Sequence, residues 1–374
     1  MTEKVLLKEL LFNRNKVEKI ADELALVYPA FDRRGFVEAV IARFPELELK
    51  ARIAWIATSL QSYLPPDYRA AVAILLKALP APNNPDLADD DFGDFIYAPY
   101  ADYVAKYGCT AEDLPISLNA LYEITQRFSA EDAIRYFINA FPAETLAELL
   151  RWTTDPHYHV RRLCSEGTRP KLPWAQKITI PVTAPLAILD QLFADRTRFV
   201  TRSVANHIND MAKIDPDLAV ATLARWQATQ TQTPTEMAYI IRHALRTLIK
   251  NGNPQALALL GVSHLASVSV SHFDVPSAVA MDTTLVFSLQ ITAQEETALI
   301  VDYILYFQNK AGQRSGRKVF KLKKLALAKG ESVTLTKRHR LYENMTTRKL
   351  FRGEHEIEIQ INGKSYGKRS FHLV

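Results

Sequence analysis

A repeat of 40 residues is the feature of this chain that most restricts its fold. The triplets Val160-Arg161-Arg162, Val200-Thr201-Arg202 and Ile240-Ile241-Arg242 follow one another at this spacing, and Asp155 and Asp195 keep the same register. A period near 40 residues is typical of HEAT-like repeats, in which paired helices stack into a solenoid. Each Asp is expected to cap the helix that follows it. An ordinary helical bundle remains the alternative.

The chain changes character near Gly261. Before it, apolar residues recur at helical spacing, as in the stripe Val37, Val40, Ile41 and Phe44, so this part is predicted to be all-helical. The exception is Ala81–Phe95, which is rich in Pro, Asn and Asp and is predicted to form a long acidic surface loop away from phosphates.

After Gly261, short runs with the alternation of β-strands take over. Seven strands are predicted, at Ala266–Val270, Thr284–Ile291, Leu299–Phe307, Val319–Leu325, Ser332–Thr336, Ile357–Ile361 and Tyr366–Val374. Turns at Asn309–Gly312 and Asn362-Gly363 separate some of them, a pattern that fits an immunoglobulin-like sandwich. The fold class is therefore mainly α: a helical-repeat domain over residues 1–262 and a small all-β sandwich over 263–374.

Positive charge is concentrated in the predicted sandwich. From Ser263 onward there are 17 Lys and Arg against 10 Asp and Glu, a balance of +7, whereas the preceding part has a balance of −2. A basic region suits a polyanion such as nucleic acid, although many basic surfaces are only solvated. Lys321 and Lys323 share one face of a predicted strand, which is either a phosphate-binding face or a protected edge strand.

The N-terminal segment and the cysteines indicate a cytoplasmic protein. The N-terminal segment mixes charged and apolar residues and resembles neither a signal peptide nor a membrane anchor. Cys109 and Cys164 are too few for a disulfide framework or a cysteine metal cage.

The segment Asp155–Trp174 is the densest in candidate functional residues. Arg161, Arg162, Arg169 and Lys171 surround one carboxylate, Glu166, and Trp174 follows on a proline-rich turn. Under the repeat, the pairs Arg162/Glu166, Arg202/Asn206 and Arg242/Arg246 are equivalent and are expected to line up. Such a row is either an anion-binding cleft or a ladder of salt bridges between helices. A Trp on a proline-rich turn beside these charged residues favours a binding surface over a core.

Three segments resemble signature segments of the AlkC-type DNA alkylation repair glycosylases. They are HVRRLCSEGTRPKLPWA (His159–Ala175), RSVANHINDMAK (Arg202–Lys213) and RFSAEDAIRYF (Arg127–Phe137), and the resemblance is detailed from about Leu121 to Trp226. The chain departs from the family at His157-Tyr158-His159, where the family segment has Asn-x-His.

The resemblance implies a monofunctional glycosylase that removes 3-methyladenine and 3-methylcytosine from double-stranded DNA without a metal or other cofactor, acting as a monomer. Its motifs assign Asp210, Glu166 and Glu131 as acidic active-site residues and Trp174 as the aromatic one. Such carboxylates can stabilise the sugar cation that forms as a cationic base leaves. The candidate DNA-binding residues are Arg161, Arg162, Arg169, Arg202, Lys171, Lys213, Lys321 and Lys323.

Two alternatives remain at this point. A non-catalytic helical-repeat scaffold would bind nucleic acid or protein without releasing a base. A metal hydrolase would use Asp155, His157 and His159, but His-x-His without a further ligand cluster is a weak signal.

Overall fold

The computed structural model describes residues 6–86, 92–345 and 348–374. Internal contacts divide the chain into two compact units, one of Met1–Ile214 with Trp226–Ile240 and one of Asp215–Arg225 with Ile241–Val374. The predicted domain boundary between residues 262 and 263 stays a prediction. The middle of the predicted acidic loop, residues 87–91, lies outside the described residues.

In the described residues as far as Leu259, α-helices are the main regular elements. They are α1 (Leu7–Leu11), α2 (Arg14–Val27), α3 (Arg33–Arg43), α4 (Leu49–Tyr63), α5 (Tyr68–Ala78), α6 (Ala98–Gly108), α7 (Leu114–Thr125), α8 (Ile134–Ala140), α9 (Pro142–Trp152), α10 (Tyr158–Glu166), α11 (Leu186–Leu192), α12 (Arg198–Met211), α13 (Pro216–Thr229), α14 (Pro234–Ala244), α15 (Arg246–Lys250) and α16 (Pro254–Leu259).

The 40-residue period corresponds to pairs of helices. Short connections join α9 to α10 and α11 to α12, and α10 packs against α12. α10 begins at Tyr158 and α12 at Arg198, one period later, whereas α14 begins at Pro234, four residues earlier than the period requires. The predicted helical repeats are therefore present, and the first two are the more regular.

The prediction that Asp155 and Asp195 cap these helices is wrong. Asp155 Oδ1 accepts a hydrogen bond from the His157 N–H, and Asp195 Oδ1 accepts one from the Thr197 N–H, both at 2.7 Å. His157 itself caps α10, because its Nδ1 accepts from the His159 N–H at 3.2 Å. Each Asp thus closes a turn in the connection before the helix, as short carboxylates do with the amide two residues on.

The C-terminal strands form two antiparallel sheets with one added parallel pair. The strands are β1 (Val268–Asp274), β2 (Ala278–Val279), β3 (Thr284–Ala293), β4 (Thr297–Gln308), β5 (Arg314–Leu327), β6 (Ser332–Arg340), β7 (Asn344–Met345), β8 (Arg348–Lys349), β9 (Gly353–Ile361) and β10 (Lys364–Leu373). One sheet has the order β1-β3-β6, the other has β2-β10-β9-β4-β5, and β7 pairs with β8. All seven predicted strands are observed, and β2, β7 and β8 are short additions.

Alternating side chains of both sheets build the core of the sandwich. On β3, Leu285, Phe287 and Leu289 are buried, and on β4 Val301 and Tyr303 are buried against them. On β3 the buried residues alternate with less buried ones, as the sequence pattern predicts for a two-sheet sandwich, whereas β4 and β9, in the middle of the larger sheet, are buried on both faces over Val301–Leu305 and His355–Ile361. The predicted fold class, helical repeats followed by an immunoglobulin-like sandwich, is confirmed.

The turn at Asn362-Gly363 closes the hairpin of β9 and β10 as predicted. Both residues have positive φ, 46° and 81°, which a two-residue hairpin turn of this kind needs. Asn362 is buried, and its side chain accepts from the Ile300 N–H at 2.8 Å and donates to the Ser263 carbonyl at 2.7 Å. Within the described residues, no helix is long and apolar enough to cross a lipid bilayer.

Candidate active site

One guanidinium joins two of the predicted acidic residues. Glu166 ends α10 and Asp210 lies in the last turn of α12, and both residues are 4% exposed. Arg169 donates from Nε and Nη2 to Asp210 Oδ2, at 3.0 and 2.8 Å, and from Nη1 to Glu166 Oε1. Because guanidinium donors form a rigid planar fork, Arg169 fixes the two carboxylates relative to each other.

Glu166 is held in its ionised form. Ser203 Oγ donates to its Oε2 at 2.5 Å, and Arg162 Nη2 lies 3.9 Å from its Oε1. Burial acts to raise the pKa of Glu166, but Arg162, Arg169 and the Ser203 hydrogen bond outweigh burial, so the pKa lies below its ordinary value. At neutral pH this carboxylate accepts hydrogen bonds and stabilises positive charge, and it has no proton to donate.

Asp210 and Glu131 extend the arrangement at its two ends. Asp210 Oδ1 accepts a second cationic hydrogen bond, from Lys213 Nζ at 3.0 Å. Half-buried Glu131 accepts from Arg162 Nη1 at 2.7 Å and from Ser129 Oγ at 2.7 Å. The alternating charges form a continuous series, which we call the charge row: Glu131, Arg162, Glu166, Arg169, Asp210 and Lys213.

Aromatic rings cover Arg162 in the charge row. Its guanidinium carbon lies 4.5 Å from the ring centre of Phe199 and 5.4 Å from that of Phe92, and the two rings pack edge to face. Phe92 comes from the end of the predicted acidic loop, so this end of the loop packs beside the charge row. Stacked rings leave the in-plane donors of Arg162 directed at its carboxylates.

Trp174 is presented on the surface in a strained backbone conformation. It is 75% exposed, and its φ is +65°, in the left-handed region that bulky side chains rarely adopt. Its carbonyl accepts a hydrogen bond from Lys50 Nζ, which also donates to Asp132 at 2.8 Å. A large exposed ring on a strained, tethered backbone is typical of a binding residue.

The predicted phosphate-binding residues of the helical unit fall into two groups. Arg161 is buried, and its guanidinium pairs with both oxygens of Asp195, at 2.5 and 3.1 Å, so phosphate contact would require this pair to open. Lys171 is exposed and Arg202 is half-buried on α12. The lysine is accessible to a DNA backbone without such a change.

Lys321 and Lys323 are both exposed on β5, the last strand of its sheet. The pairing of β4 with β5 shifts between Val301 and Asp302, which are opposite Lys323 and Lys321. A bulge at this point and a row of lysines are both devices that protect an edge strand, and the same lysines can contact phosphates.

Nothing in this arrangement resembles a metal site. In the described ranges, no group of three or more His, Cys, Asp or Glu side chains is placed to hold a metal ion. His157, one of the ligands of the hydrolase alternative, uses Nδ1 for the cap of α10 and Nε2 for the Asn83 carbonyl at 2.9 Å. Asp155 accepts from Tyr122 Oη at 2.8 Å.

Sequence reasoning missed several residues that support the charge row. Ser203 donates to Glu166, and buried His207 donates from Nδ1 to the Ser165 carbonyl at 3.1 Å. Ser203 and His207 lie in the segment RSVANHINDMAK, so the resemblance marked the segment but not their contacts. Phe92 and Phe199 carried no signal in the sequence, because their packing on Arg162 is set by the fold.

His207 should make stability depend on pH. Burial lowers its pKa to about 4, whereas an exposed histidine has a pKa near 6.5. The unfolded chain therefore takes up a proton that the folded chain refuses, and stability present above pH 6.5 is lost as the pH falls toward 4. Through this histidine, the unaltered chain should lose about 1–2 kcal/mol of its free energy of unfolding between pH 7 and 5. We expect denaturant titrations of His207→Gln to lack this part of the loss.

Comparison with known proteins identifies the family. Residues 269–374 match a family model described as the C-terminal Ig-like domain of the uncharacterised protein YhaZ. The chain is 32% identical over 363 residues to an uncharacterized protein YhaZ of Bacillus subtilis (strain 168), with 96% of each chain covered. It is 34% identical to the solved structure of Pseudomonas fluorescens alkylpurine DNA glycosylase AlkC bound to DNA containing an abasic site analog, with a TM-score of 0.88 and coverage of 99% of this chain and 100% of that one. The chain therefore belongs to the family of AlkC-type DNA alkylation repair glycosylases.

Proposed function

We propose that this chain hydrolyses the N-glycosidic bond of positively charged N3-alkylated bases, 3-methyladenine and 3-methylcytosine, in double-stranded DNA. The observation that carries the proposal is the pair of buried carboxylates, Glu166 and Asp210, that Arg169 holds together. Full-length similarity to an alkylpurine DNA glycosylase supports the same reaction class. The enzyme is monofunctional: it releases the base and leaves the strand intact.

The lowered pKa of Glu166 fits a leaving group that already carries positive charge. When the bond between the sugar C1′ and the base nitrogen breaks, the electron pair goes to the base, which leaves neutral. No proton donor is needed, and the sugar becomes an oxocarbenium ion. Ionised carboxylates stabilise that cation more than they stabilise the ground state, which is the requirement for catalysis.

Asp210 is the proposed principal catalytic residue. It lies against the oxocarbenium ion and accepts a proton from the water that attacks C1′, as carboxylates do in glycoside hydrolysis. Arg169 and Lys213 orient it through the hydrogen bonds described above. Glu166 places the base or the water, and Glu131 adds negative charge at the other end of the charge row.

DNA binding is assigned to the cations of both units. Exposed Lys171 and half-buried Arg202 offer positive charge from the helical unit. Arg161, Arg162, Arg169 and Lys213 donate to carboxylates and reach a phosphate only by sharing those donors. By pairing with flanking phosphates, these cations offset the repulsion between DNA and the carboxylates. The cytoplasmic location and the monomeric state stay predictions.

Trp174→Ala should weaken lesion discrimination more than chemistry. The indole face attracts a cationic base by roughly 0.5–2 kcal/mol, which corresponds to a loss of about 2- to 30-fold in preference for the lesion over undamaged DNA. We expect little change in folding, because the ring is exposed. Equilibrium binding to matched duplexes with and without 3-methylcytosine measures the effect. Leu26→Ala, at another exposed apolar position, should change nothing.

Reversing the charge of Lys321 and Lys323 to Glu should weaken DNA binding and flatten its salt dependence. Two lost phosphate contacts reduce the slope of log affinity against log salt by about 1.8. The matched control is the double change of Lys310 and Lys329 to Glu, which alters the net charge equally in exposed turns. If both double variants have the same slope, the strand carries no special role.

The competing function is a non-catalytic scaffold that binds DNA through the same cations. The two functions differ in one product, an abasic site. We expect a duplex with a single 3-methylcytosine to acquire an alkali-labile site at that position after incubation with the chain. Binding of this duplex without alkali-labile sites would favour the scaffold.

A further inference from the structure

The loop from Gly167 to Gln176 carries two residues of the proposed site. Arg169 bonds both carboxylates, and Trp174 is the exposed aromatic residue. At its start the loop packs tightly on α8, because a Cβ at Gly167 would lie 2.5 Å from Ile134 Cγ2. The loop has no regular secondary structure, so its shape depends on the contacts that its backbone makes.

Arg135, on α8, contacts the backbone at both ends of this loop. Its Nη1 donates to the carbonyls of Gly167 and Arg169, at 3.0 and 2.8 Å, and its Nε donates to the carbonyl of Gln176 at 2.6 Å. The residue is 1% exposed. Three bonds from one planar group fix the separation of the two loop ends, because the donors cannot move independently.

The partners of Arg135 are unusual for a buried cation. In the described part of the chain, carbonyl oxygens bind its guanidinium, and no carboxylate is hydrogen-bonded to it. Burial lowers the pKa of Arg135, and the more distant Asp132, Glu131 and Glu166 offset part of this effect. A buried charge without a paired carboxylate is unfavourable for stability. The hydrogen bonds from Arg135 to the loop carbonyls therefore compensate the burial of its guanidinium.

We propose that Arg135 is a positioning residue for the reaction: it fixes the loop so that Arg169 stays between Glu166 and Asp210 and Trp174 stays on the surface. The inference rests on the proposed function for its catalytic consequence. It assigns a role to the segment RFSAEDAIRYF beyond Glu131. Arg135 does not act on the substrate itself but through Arg169.

The test compares Arg135→Lys and Arg135→Gln with a matched control, Arg52→Lys. Arg52 is also 1% exposed and also donates to backbone carbonyls, those of Phe12 and Phe44 at 2.7 and 2.9 Å, but it does not bond the loop. Lysine keeps the charge and loses the planar fork. The variants are the full chain, and each is compared at equal folded concentration, measured by circular dichroism.

Two readouts are needed, and one is independent of catalysis. Single-turnover base release on a 3-methylcytosine duplex should slow at least about tenfold in both Arg135 variants, with the half-saturating protein concentration unchanged, since small displacements of catalytic groups have large effects on rate. Trypsin cleavage after exposed Lys171 should accelerate, also by about tenfold, as the loop opens locally. Arg52→Lys should change neither.

Each outcome decides the inference. Normal base release together with normal cleavage at Lys171 in the Arg135 variants overturns it, and so does an equal loss in Arg52→Lys, which would show a general effect of stability. If the unaltered chain releases no base, the proposed function fails. The trypsin readout then still shows whether Arg135 holds the loop.

Discussion

Asp210→Asn should lower the single-turnover rate of 3-methyladenine release by roughly 10²–10³-fold, the usual effect of removing one preorganised electrostatic group from a transition state. Asparagine keeps the shape of the side chain, and its carbonyl can still accept from Arg169. The negative charge opposite the oxocarbenium ion is lost. Binding to the same duplex should be retained or strengthened, because repulsion from the phosphates falls.

Asp195→Asn is the matched control for this result. Asp195 is another aspartate in an ion pair, with Arg161, and its side chain is 5% exposed, but it lies outside the charge row. It should lose stability and keep its rate per folded molecule. Glu166→Gln should behave like Asp210→Asn. An Asp210→Asn protein that releases the base at the normal rate would remove Asp210 from the mechanism and shift its role to Glu166 or Glu131.

Arg169→Met should have the largest effect on stability. It leaves Glu166 and Asp210 buried without their shared partner, and breaking a buried ion pair in this way costs about 3–5 kcal/mol. The pKa of Glu166 is expected to rise, because burial would then be opposed by Arg162 and Ser203 alone. The difference in unfolding free energy between this variant and the unaltered chain, measured at the same pH, should therefore shrink as the pH is lowered from 7 toward 5.5.

Denaturant titrations at the two pH values measure this effect. The double variant Arg169→Met, Asp210→Asn has one uncompensated buried charge fewer than Arg169→Met. Its loss of unfolding free energy should therefore be smaller than the sum of the losses in the two single variants. If the losses of unfolding free energy in the single variants simply add up in the double variant, and are the same at both pH values, then Arg169 does not compensate the charges of the carboxylates. Release of 3-methyladenine should be lost in both variants.

The architecture could be predicted from the sequence because it depends on periodic patterns. The 40-residue spacing of Val160 and Val200 fixed the pairing of α9 with α10 and α11 with α12, and strand alternation located β3, β4 and β9. The caps were predicted wrongly because both Asp155 and His157 can accept a backbone hydrogen bond before α10. Only the backbone geometry decides which one occupies the cap position.

The candidate site could be predicted as a set of residues but not as a set of contacts. Motif resemblance selected Glu166, Asp210 and Glu131, and the structure joins them through Arg162 and Arg169. Neighbouring arginines have different partners: Arg161 pairs with Asp195, whereas Arg162 pairs with Glu131. Successive side chains of a helix point in different directions, so their partners depend on which helix packs on each face.

The most direct test of the central claim is the identification of what the chain releases from methylated double-stranded DNA. We expect free 3-methyladenine and 3-methylcytosine in the soluble fraction, an equal number of abasic sites in unbroken strands, and the same yield with a metal chelator present. Chromatography of the released material and counting of abasic sites give both quantities. Retention of both bases in DNA that the chain binds, or release of nucleotides through strand cleavage, would contradict the account.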